Sequence, residues 1–297
     1  MTLHESGHTR PSHNMLAVPS VSVVIPTLNE AENLRLLLPT IPAWIDQVVV
    51  VDGRSTDDTI EVAESFAHCL PMLVVLEKCK GKGAALRAGF AAARGEIIVA
   101  IDADCSMHPC EIPLLISALT AGADFAKGSR FIQGGGSADL SRFRAVGNRG
   151  LTQIVKILYG GSFSDLCYGY FAFWRRYLPV INPTCDGFEV ETFIKLKALK
   201  ARLRIAEVPS FETLRVHGES NLRAIPDGIR VLRTILRERF PTARTVEDRL
   251  ATTDPQTFRR FAPPVETVPI VAPIVLAMTA ASARSTGGKP AVPPFTN

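Results

Sequence analysis

No run of this sequence reaches the ~20 apolar residues that a membrane-spanning helix needs. The nearest candidate, residues 268–281, is interrupted by Pro269 and Pro273 and reads as part of an irregular tail. The first residues are polar and rich in His, Ser and Pro, with no charged start leading into an apolar core, so no signal peptide is expected. The six cysteines, Cys69, Cys79, Cys105, Cys110, Cys167 and Cys185, stand in no CxxC pair. That spacing argues against a cysteine-built metal site, and a chain of 297 residues does not need disulfide staples. Free thiols in a reducing cytoplasm are expected. There is no polybasic block: a net charge of +4 is spread over many short segments, which leaves no footprint for nucleic acid. Neither the phosphate-binding P-loop pattern nor the GxGxxG dinucleotide fingerprint occurs, which disfavours kinase and dehydrogenase chemistry. No internal repeat is visible.

What the chain does have is 46% hydrophobic residues, ample for one sizeable core. The best-marked stretch is 97–109, IIVAIDADCSMHP. Its apolar run suits a strand buried on both faces, and the run ends in Asp102 and Asp104. Two carboxylates at the end of a buried strand repel each other and lose water. A hard divalent cation between them and substrate phosphates relieves both costs. Solvated loop acids, or Asp104 capping the next helix, are the plainer alternatives.

Upstream, strand and helix alternate. Residues 21–25 (VSVVI) read as a strand ended by Pro26, which cannot donate to a sheet ladder. Asn29 reads as the N-cap of a helix, with Glu32 as its capping-box partner. Residues 47–51 form a strand running into Asp52, and Ser55 caps the next helix, with Asp58 at its third position. A third strand follows at 72–76. Lys78, Lys80 and Lys82 surround Gly81 and Gly83 ahead of an alanine-rich helix at 84–93. Such alternation predicts a mostly parallel sheet with helices on both faces and ligands at the carboxyl ends of the strands. Asn29, Glu30, Asp52, Lys82, Asp102 and Asp104 all fall at that edge. Beyond it, the pattern predicts helices at 111–119, 146–159 and up to about residue 200, strands at 123–127, 171–174 and 203–208, and a polar loop at 215–222. A last helix at 225–240 carries Ile229, Leu232, Ile235 and Leu236 on one stripe and arginines on the others. The expected organisation is a disordered tail at 1–19, one α/β domain at 20–240 and a flexible extension at 241–297.

The motifs PTLNEAENL at 26–34, VDGRSTDDT at 51–59, GKGAALRAGFAAARGE at 81–96 and the Asp102-Ala103-Asp104 triplet resemble glycosyltransferase family 2. GSRF at 128–131, SDLCYGY at 164–170, GFEVE at 187–191, EVPSF at 207–211 and RVHGESNL at 215–222 continue the resemblance. This later half is most similar to the dolichyl/polyprenyl-phosphate mannosyltransferase branch. The resemblance implies a GT-A fold and an inverting, metal-dependent transfer of a hexose from a nucleotide-diphosphate sugar of the GDP-mannose or UDP-glucose type. The acceptor would be a lipid phosphate, such as a polyprenyl phosphate, or a hydroxyl group.

Residue by residue, the resemblance places Pro26, Thr27, Asn29 and Glu30 around the base and ribose. Asp52 contacts the nucleotide alone, since Gly53 stands where a second aspartate is common. Lys82, Gly83 and Ala103 lie by the nucleotide. Asp102 and Asp104 hold Mg²⁺ or Mn²⁺ and the diphosphate. Arg130 and Arg215 offer cationic contacts to phosphates, and His217 and Ser220 fall on the acceptor side. Asn221 replaces a lysine common in that branch. A hydroxyl acceptor would need a general base, for which Asp165, Glu189 and Glu191 are the acids on the acceptor side and Asp186 an outsider; Asp104, Asp165 and Glu191 are the catalytic candidates. A lipid phosphate, already anionic, would need none. The arginine-rich helix at 225–240 suggests peripheral contact with the cytoplasmic membrane face. A non-catalytic nucleotide-sugar sensor on the same fold is the alternative. A nucleotidyltransferase is disfavoured, because PTLNEAEN is unlike the glycine-rich basic loop such enzymes carry after the first strand.

Overall fold

The computed structural model describes residues 18–219 and 222–240. The tails expected at 1–19 and 241–297 therefore lie outside the described residues, apart from Val18 and Pro19, and so do Ser220 and Asn221. In chain order the elements are β1 (Val21–Thr27), α1 (Ala31–Leu37), β2 (Gln47–Asp52), α2 (Thr59–Ser65), β3 (Met72–Leu76), α3 (Lys82–Ala92), β4 (Ile97–Ala100) and α4 (Ile112–Thr120). There follow β5 (Phe125–Ser129), β6 (Gly136–Ser137), α5 (Arg142–Tyr159), β7 (Phe171–Trp174), α6 (Leu178–Ile181), α7 (Val190–Lys200), β8 (Ile205–Pro209), β9 (Phe211–Glu212) and α8 (Ala224–Arg239).

The central sheet runs β3-β2-β1-β4-β7-β5-β8. All its pairings are parallel except those of β7, which lies antiparallel between β4 and β5. β1, β2 and β4 are Val- and Ile-rich and buried on both faces, so their alternate residues enter two different cores. Val23, Val48 and Val99 face α1, α2 and α4. Val24, Val49 and Ile98 face α3 and α7, where Phe90, Phe125, Phe171 and Phe173 stack or meet edge to face. A third cluster, around Val155, Leu196, Val231 and Ile235, joins α5, α7 and α8. The strand order reverses direction between β1 and β4, the switch point at which open α/β sheets bind ligands.

Several local expectations are corrected. Pro26 lies inside β1, paired with Val51, rather than ending it. Val24 O accepts from Ile101 N at 3.2 Å, so Pro26, two residues on, turns its missing N–H toward the side where β4 has already stopped. Asn29 and Ser55 do not cap helices. The first helical N–H groups of α1 and α2 go instead to Asp57, at 3.1 Å from Ala31 N and 3.2 Å from Thr59 N. α5 starts earlier than predicted because Ser141 caps it, accepting from Arg144 N. The packed face of α8 is Asp227, Val231, Thr234, Ile235 and Glu238, while Ile229 and Leu236 are exposed. Two buried acids substitute for part of the expected apolar stripe.

Candidate active site

The β4 strand delivers Asp102 and Asp104 to the sheet edge. Ile101 still bonds to β1; the chain then turns, with Ala103 buried and Cys105 in the left-handed region (φ 62°). Asp104 Oδ1 accepts from Ser106 N at 3.0 Å, which fixes its carboxylate outward. Thr213 bonds the carbonyls of Cys105 and Ser106, pinning the 213–219 loop over this turn.

Each aspartate faces a cation. Lys82 Nζ lies 2.6 Å from Asp102 Oδ1 and 2.6 Å from Glu191 Oε1. Arg215 spans Asp104 at 2.8 Å and Glu30 at 2.9 Å. Burial pushes the Asp102 carboxyl up to about 6, and the neighbouring charges of Asp104 and Glu191 add to that, against the pull of Lys82. Burial alone would lower Lys82, but the two carboxylates outweigh it and raise it. For Glu191 burial acts upward, yet Lys82 and Lys195 bring it below the ordinary carboxylate range.

This donor set fits a hard divalent cation. Asp102 and Asp104 open on the same cavity, and each already draws a cation to it. Among the described residues no cluster of three or more His, Cys, Asp or Glu would cage a metal unaided. A partial protein shell suits Mg²⁺ or Mn²⁺, which complete their coordination with phosphate oxygens and water.

The β1–α1 and β2–α2 loops are stitched together beside this point. Asn29, at φ 56°, accepts from Thr56 N at 2.8 Å, and its own N–H donates to Ser55 Oγ. Glu30 N donates to Thr59 Oγ1, and Thr27 Oγ1 donates to Val51 O. Asp52 is buried and accepts from the backbone N–H groups of Arg54 and Ser55. Pro26, Thr27, Asn29, Glu30 and Asp52 thus share the edge with the aspartates, reached through the Arg215–Glu30 bridge. His217 lies on the same loop as Arg215, its backbone bonded to Asn33 in both directions.

Gly83 has a packing reason for being glycine. Its N–H donates to Asp186 O at 2.7 Å, and a Cβ there would fall 2.2 Å from Cys185 O. The close approach sets Lys82 at the start of α3, aimed at Asp102. Asp186, the outsider among the acids, pairs with Arg87 at 2.7 Å. Glu189 precedes α7, and its buried Oε2 has no hydrogen-bond partner within the described structure.

A cavity of about 540 Å³ opens from Lys82, Asp102, Asp104, Glu191 and Arg215 toward the start of α5 and α8. Its far walls are largely apolar, with Leu140, Phe143, Leu151, Leu214, Leu222 and Val231, and carry Asp139, Arg144, Asn148 and Asp227 among them. Gly147 and Gly228 also line it, and a Cβ on either would meet nothing within 4 Å. Gly169 closes the charged end: a Cβ there would lie 2.7 Å from Glu191 Oε1 and 3.0 Å from Lys82 Nζ. Gly169→Ala is therefore expected to push the Lys82–Glu191 pair apart and cut turnover at least tenfold while the protein stays folded. Steady-state kinetics beside a melting curve checks this.

Two predicted site residues are placed differently from the sequence reading. Asp165 is fully buried and does not line the cavity. Its oxygens accept from Arg130 Nε at 2.8 Å, Arg130 Nη2 at 3.0 Å and Asn148 Nδ2 at 2.6 Å. Burial works against its ionisation, yet the guanidinium holds its carboxyl at about 2, which is unsuited to taking a proton. Arg130 in turn gives its remaining donors to Glu212 and Cys167 O and stacks 4.5 Å from the Tyr168 ring. No donor is left over for a phosphate, so the pair ties together β5, α5, β9 and the 164–169 segment. Sequence reasoning missed Glu212 and Asn148, since nothing local marks a residue whose partner is distant in the chain. It also missed the buried Lys127 and Lys195. Lys127 left a signal, being a lysine directly after the apolar Phe125-Ala126 pair of a predicted strand.

Comparison with known proteins agrees with this geometry. The glycosyl transferase family 2 profile matches residues 22–181. A dolichol-phosphate mannosyltransferase of Pyrococcus furiosus is 33% identical over 68% of this chain, which spans 59% of that protein's length. A polyprenol monophosphomannose synthase of Mycolicibacterium smegmatis is 34% identical over 67% of this chain and 80% of its own. Among solved structures, the glucosyl-3-phosphoglycerate synthase of Mycobacterium tuberculosis with Mn²⁺, UDP-glucose and phosphoglyceric acid superposes with a TM-score of 0.63 at 26% identity, covering 82% of this chain and 88% of that one. With its family signature, its GT-A sheet and these relatives, the chain belongs to glycosyl transferase family 2.

Proposed function

We propose that this chain moves a hexose, with inversion, from a nucleoside-diphosphate sugar of the GDP-mannose or UDP-glucose type to an acceptor that carries an apolar tail, with polyprenyl phosphate as the leading acceptor class. The observation that carries this reading is the two-ended cavity: acids and cations beneath the sheet edge, a largely apolar seam between α5 and α8. The names of the Pyrococcus and Mycolicibacterium relatives support the lipid phosphate, and the ligands of the M. tuberculosis enzyme support the donor class and the metal.

Asp102 and Asp104 would hold Mg²⁺ or Mn²⁺. When bound, the cation neutralises charge on the departing diphosphate. Lys82 and Arg215, relieved of the aspartates, would turn to phosphate oxygens. The acceptor oxygen attacks the anomeric carbon as the bond to the diphosphate oxygen breaks, and the electron pair leaves with the nucleoside diphosphate. Glu191, kept ionised by Lys82, orients the sugar better than it takes a proton. A phosphate acceptor, anionic before it arrives, needs no base, and this agrees with the spent state of Asp165. Turnover of GDP-mannose and UDP-glucose with polyprenyl phosphate, with and without Mn²⁺ or Mg²⁺, tests the proposal. Binding without transfer to any acceptor would contradict it.

The same two helices suit an anionic membrane surface. α5 carries Arg142, Arg144, Arg149 and Lys156 and no acid. The two acids of α8, Asp227 and Glu238, are both buried. Phe143, Val146 and Ile157 of α5 and Ile225, Ile229 and Leu236 of α8 are exposed among these cations. The helices run side by side, with Tyr159 Oη donating to Ile235 O at 2.6 Å. No described helix is long and apolar enough to cross a membrane, so contact would be peripheral. Cosedimentation with phosphatidylglycerol vesicles at low salt is expected, falling at least tenfold with neutral vesicles. Absence of binding at low salt would remove this part of the proposal.

A further inference from the structure

The segment 164–169 is irregular, yet most of it is buried. A buried stretch without a ladder must find partners for its backbone elsewhere. Here side chains supply them. Ser164 N donates to Glu207 at 2.8 Å, and Cys167 N to Asn148 Oδ1 at 3.0 Å. The carbonyls of Leu166, Cys167 and Tyr168 accept in succession from buried cations: 2.7 Å from Lys195 Nζ, 3.0 Å from Arg130 Nη2 and 2.8 Å from Lys195 Nζ.

Lys195 is fully buried in α7, does not line the cavity, and sits one helical turn after Glu191. Both of its hydrogen bonds go to this one segment. The next residue, Gly169, is the one whose Cα rests against Glu191, Lys82 and Asp102. The helix that presents Glu191 therefore also grips, through Lys195, the backbone against which Glu191 is set. Burial pushes Lys195 down to about 8, in keeping with a lysine retained for its N–H groups at the expense of solvation.

We infer that Lys195 is a positioning residue for the transfer reaction: by bonding the carbonyls of Leu166 and Tyr168 it fixes Gly169 against the Lys82–Asp102–Glu191 group and so sets the geometry of the donor end of the cavity. The inference rests on the proposed placement of the donor for its catalytic consequence, but not for its structural one.

Cys167 gives a direct readout, since it lies in the segment and lines the cavity. Cys185, buried elsewhere, is an internal control. Lys195→Met keeps the length of the side chain and removes the donors. Lys195→Gln keeps two N–H groups on a shorter arm that reaches one carbonyl. Labelling with N-ethylmaleimide, read by peptide mass, is expected to be at least tenfold faster at Cys167 in Lys195→Met than in the wild type and about threefold faster in Lys195→Gln, with Cys185 unchanged. In the same proteins kcat should fall in that order, with the donor KM held within threefold. Wild-type labelling of Cys167 in either folded variant overturns the inference, as does an equal rise at Cys185, which would mark general loosening. If Lys195→Met does not fold, Lys195→Gln decides by the same criteria. If the wild type transfers no sugar, the functional proposal fails and the labelling still judges the clamp.

Discussion

Asp104→Ala is expected to lower sugar transfer by about a thousandfold or more, which corresponds to roughly 4 kcal/mol of lost transition-state stabilisation. The fold should survive. Asp104 stands at the rim of the cavity, its side chain partly exposed, and its removal leaves Arg215 still paired with Glu30. The lost cap to Ser106 N costs about 1 kcal/mol, or roughly 2–4 °C in melting temperature for a domain of this size. Asp104→Asn is the sharper control. It can still accept from Ser106 N but lacks the charge a divalent cation needs, so its turnover should fall nearly as far. Transfer kinetics with saturating metal, beside melting curves for both variants, gives the answer. Near wild-type turnover in either variant would separate Asp104 from the chemistry.

Arg130→Met is expected to have the opposite profile, with a large effect on stability that precedes any effect on catalysis. It leaves Asp165 and Glu212 as buried carboxylates without their guanidinium. Breaking such a pair costs about 3–5 kcal/mol, or roughly 6–20 °C in melting temperature. A poorly soluble product would agree with this. Asp165→Asn added to Arg130→Met should restore part of the loss by removing one stranded charge. The pH dependence follows from the same contact. Asp165 is held below its unfolded value, so its stabilisation is fully present above about pH 4 and is lost as pH falls toward about 2. At about 1.4 kcal/mol per pKa unit, the fall from 3.8 to about 2 is worth roughly 2–3 kcal/mol. Without Arg130 the buried carboxyl would titrate higher, and the acid transition of the variant should begin at a higher pH. Coincident acid transitions in wild type and variant would contradict the assignment.

Local pattern carried the first half of the chain well. The central strands of this sheet are buried on both faces, so β1, β2 and β4 announce themselves as runs dominated by valine and isoleucine, and the aspartates mark where one of them ends. Alternation with helices then implies a parallel sheet and a ligand edge. What could not be read was pairing at a distance. The antiparallel β7 enters the sheet from far along the chain, and nothing in FAFW states its direction. The placement of Pro26 depends on where β4 stops, a fact of the neighbouring strand. Asp165 looked like an acid available for proton transfer because the sequence does not show Arg130 and Asn148 converging on it. For the same reason nothing in the sequence separates Lys195 from the other lysines of its helix, although it is buried against carbonyls some thirty residues earlier. The exposed apolar line of α8 was legible as amphipathic pattern, but its orientation was not: two acids took the packed face.

The most direct test is a melting-temperature panel on the wild-type protein with GDP or UDP, each alone, with Mn²⁺ or Mg²⁺ alone, and in combination. A metal-bridged diphosphate site predicts that one nucleotide with metal, at about a hundred times its dissociation constant, stabilises by roughly 2.7 kcal/mol, or about 5–11 °C. Either component alone should give a small fraction of that, and Asp104→Ala should abolish the combined shift. An equal shift from the nucleotide without metal, or a combined shift that persists in Asp104→Ala, would contradict the claim that Asp102 and Asp104 grip the donor through a cation.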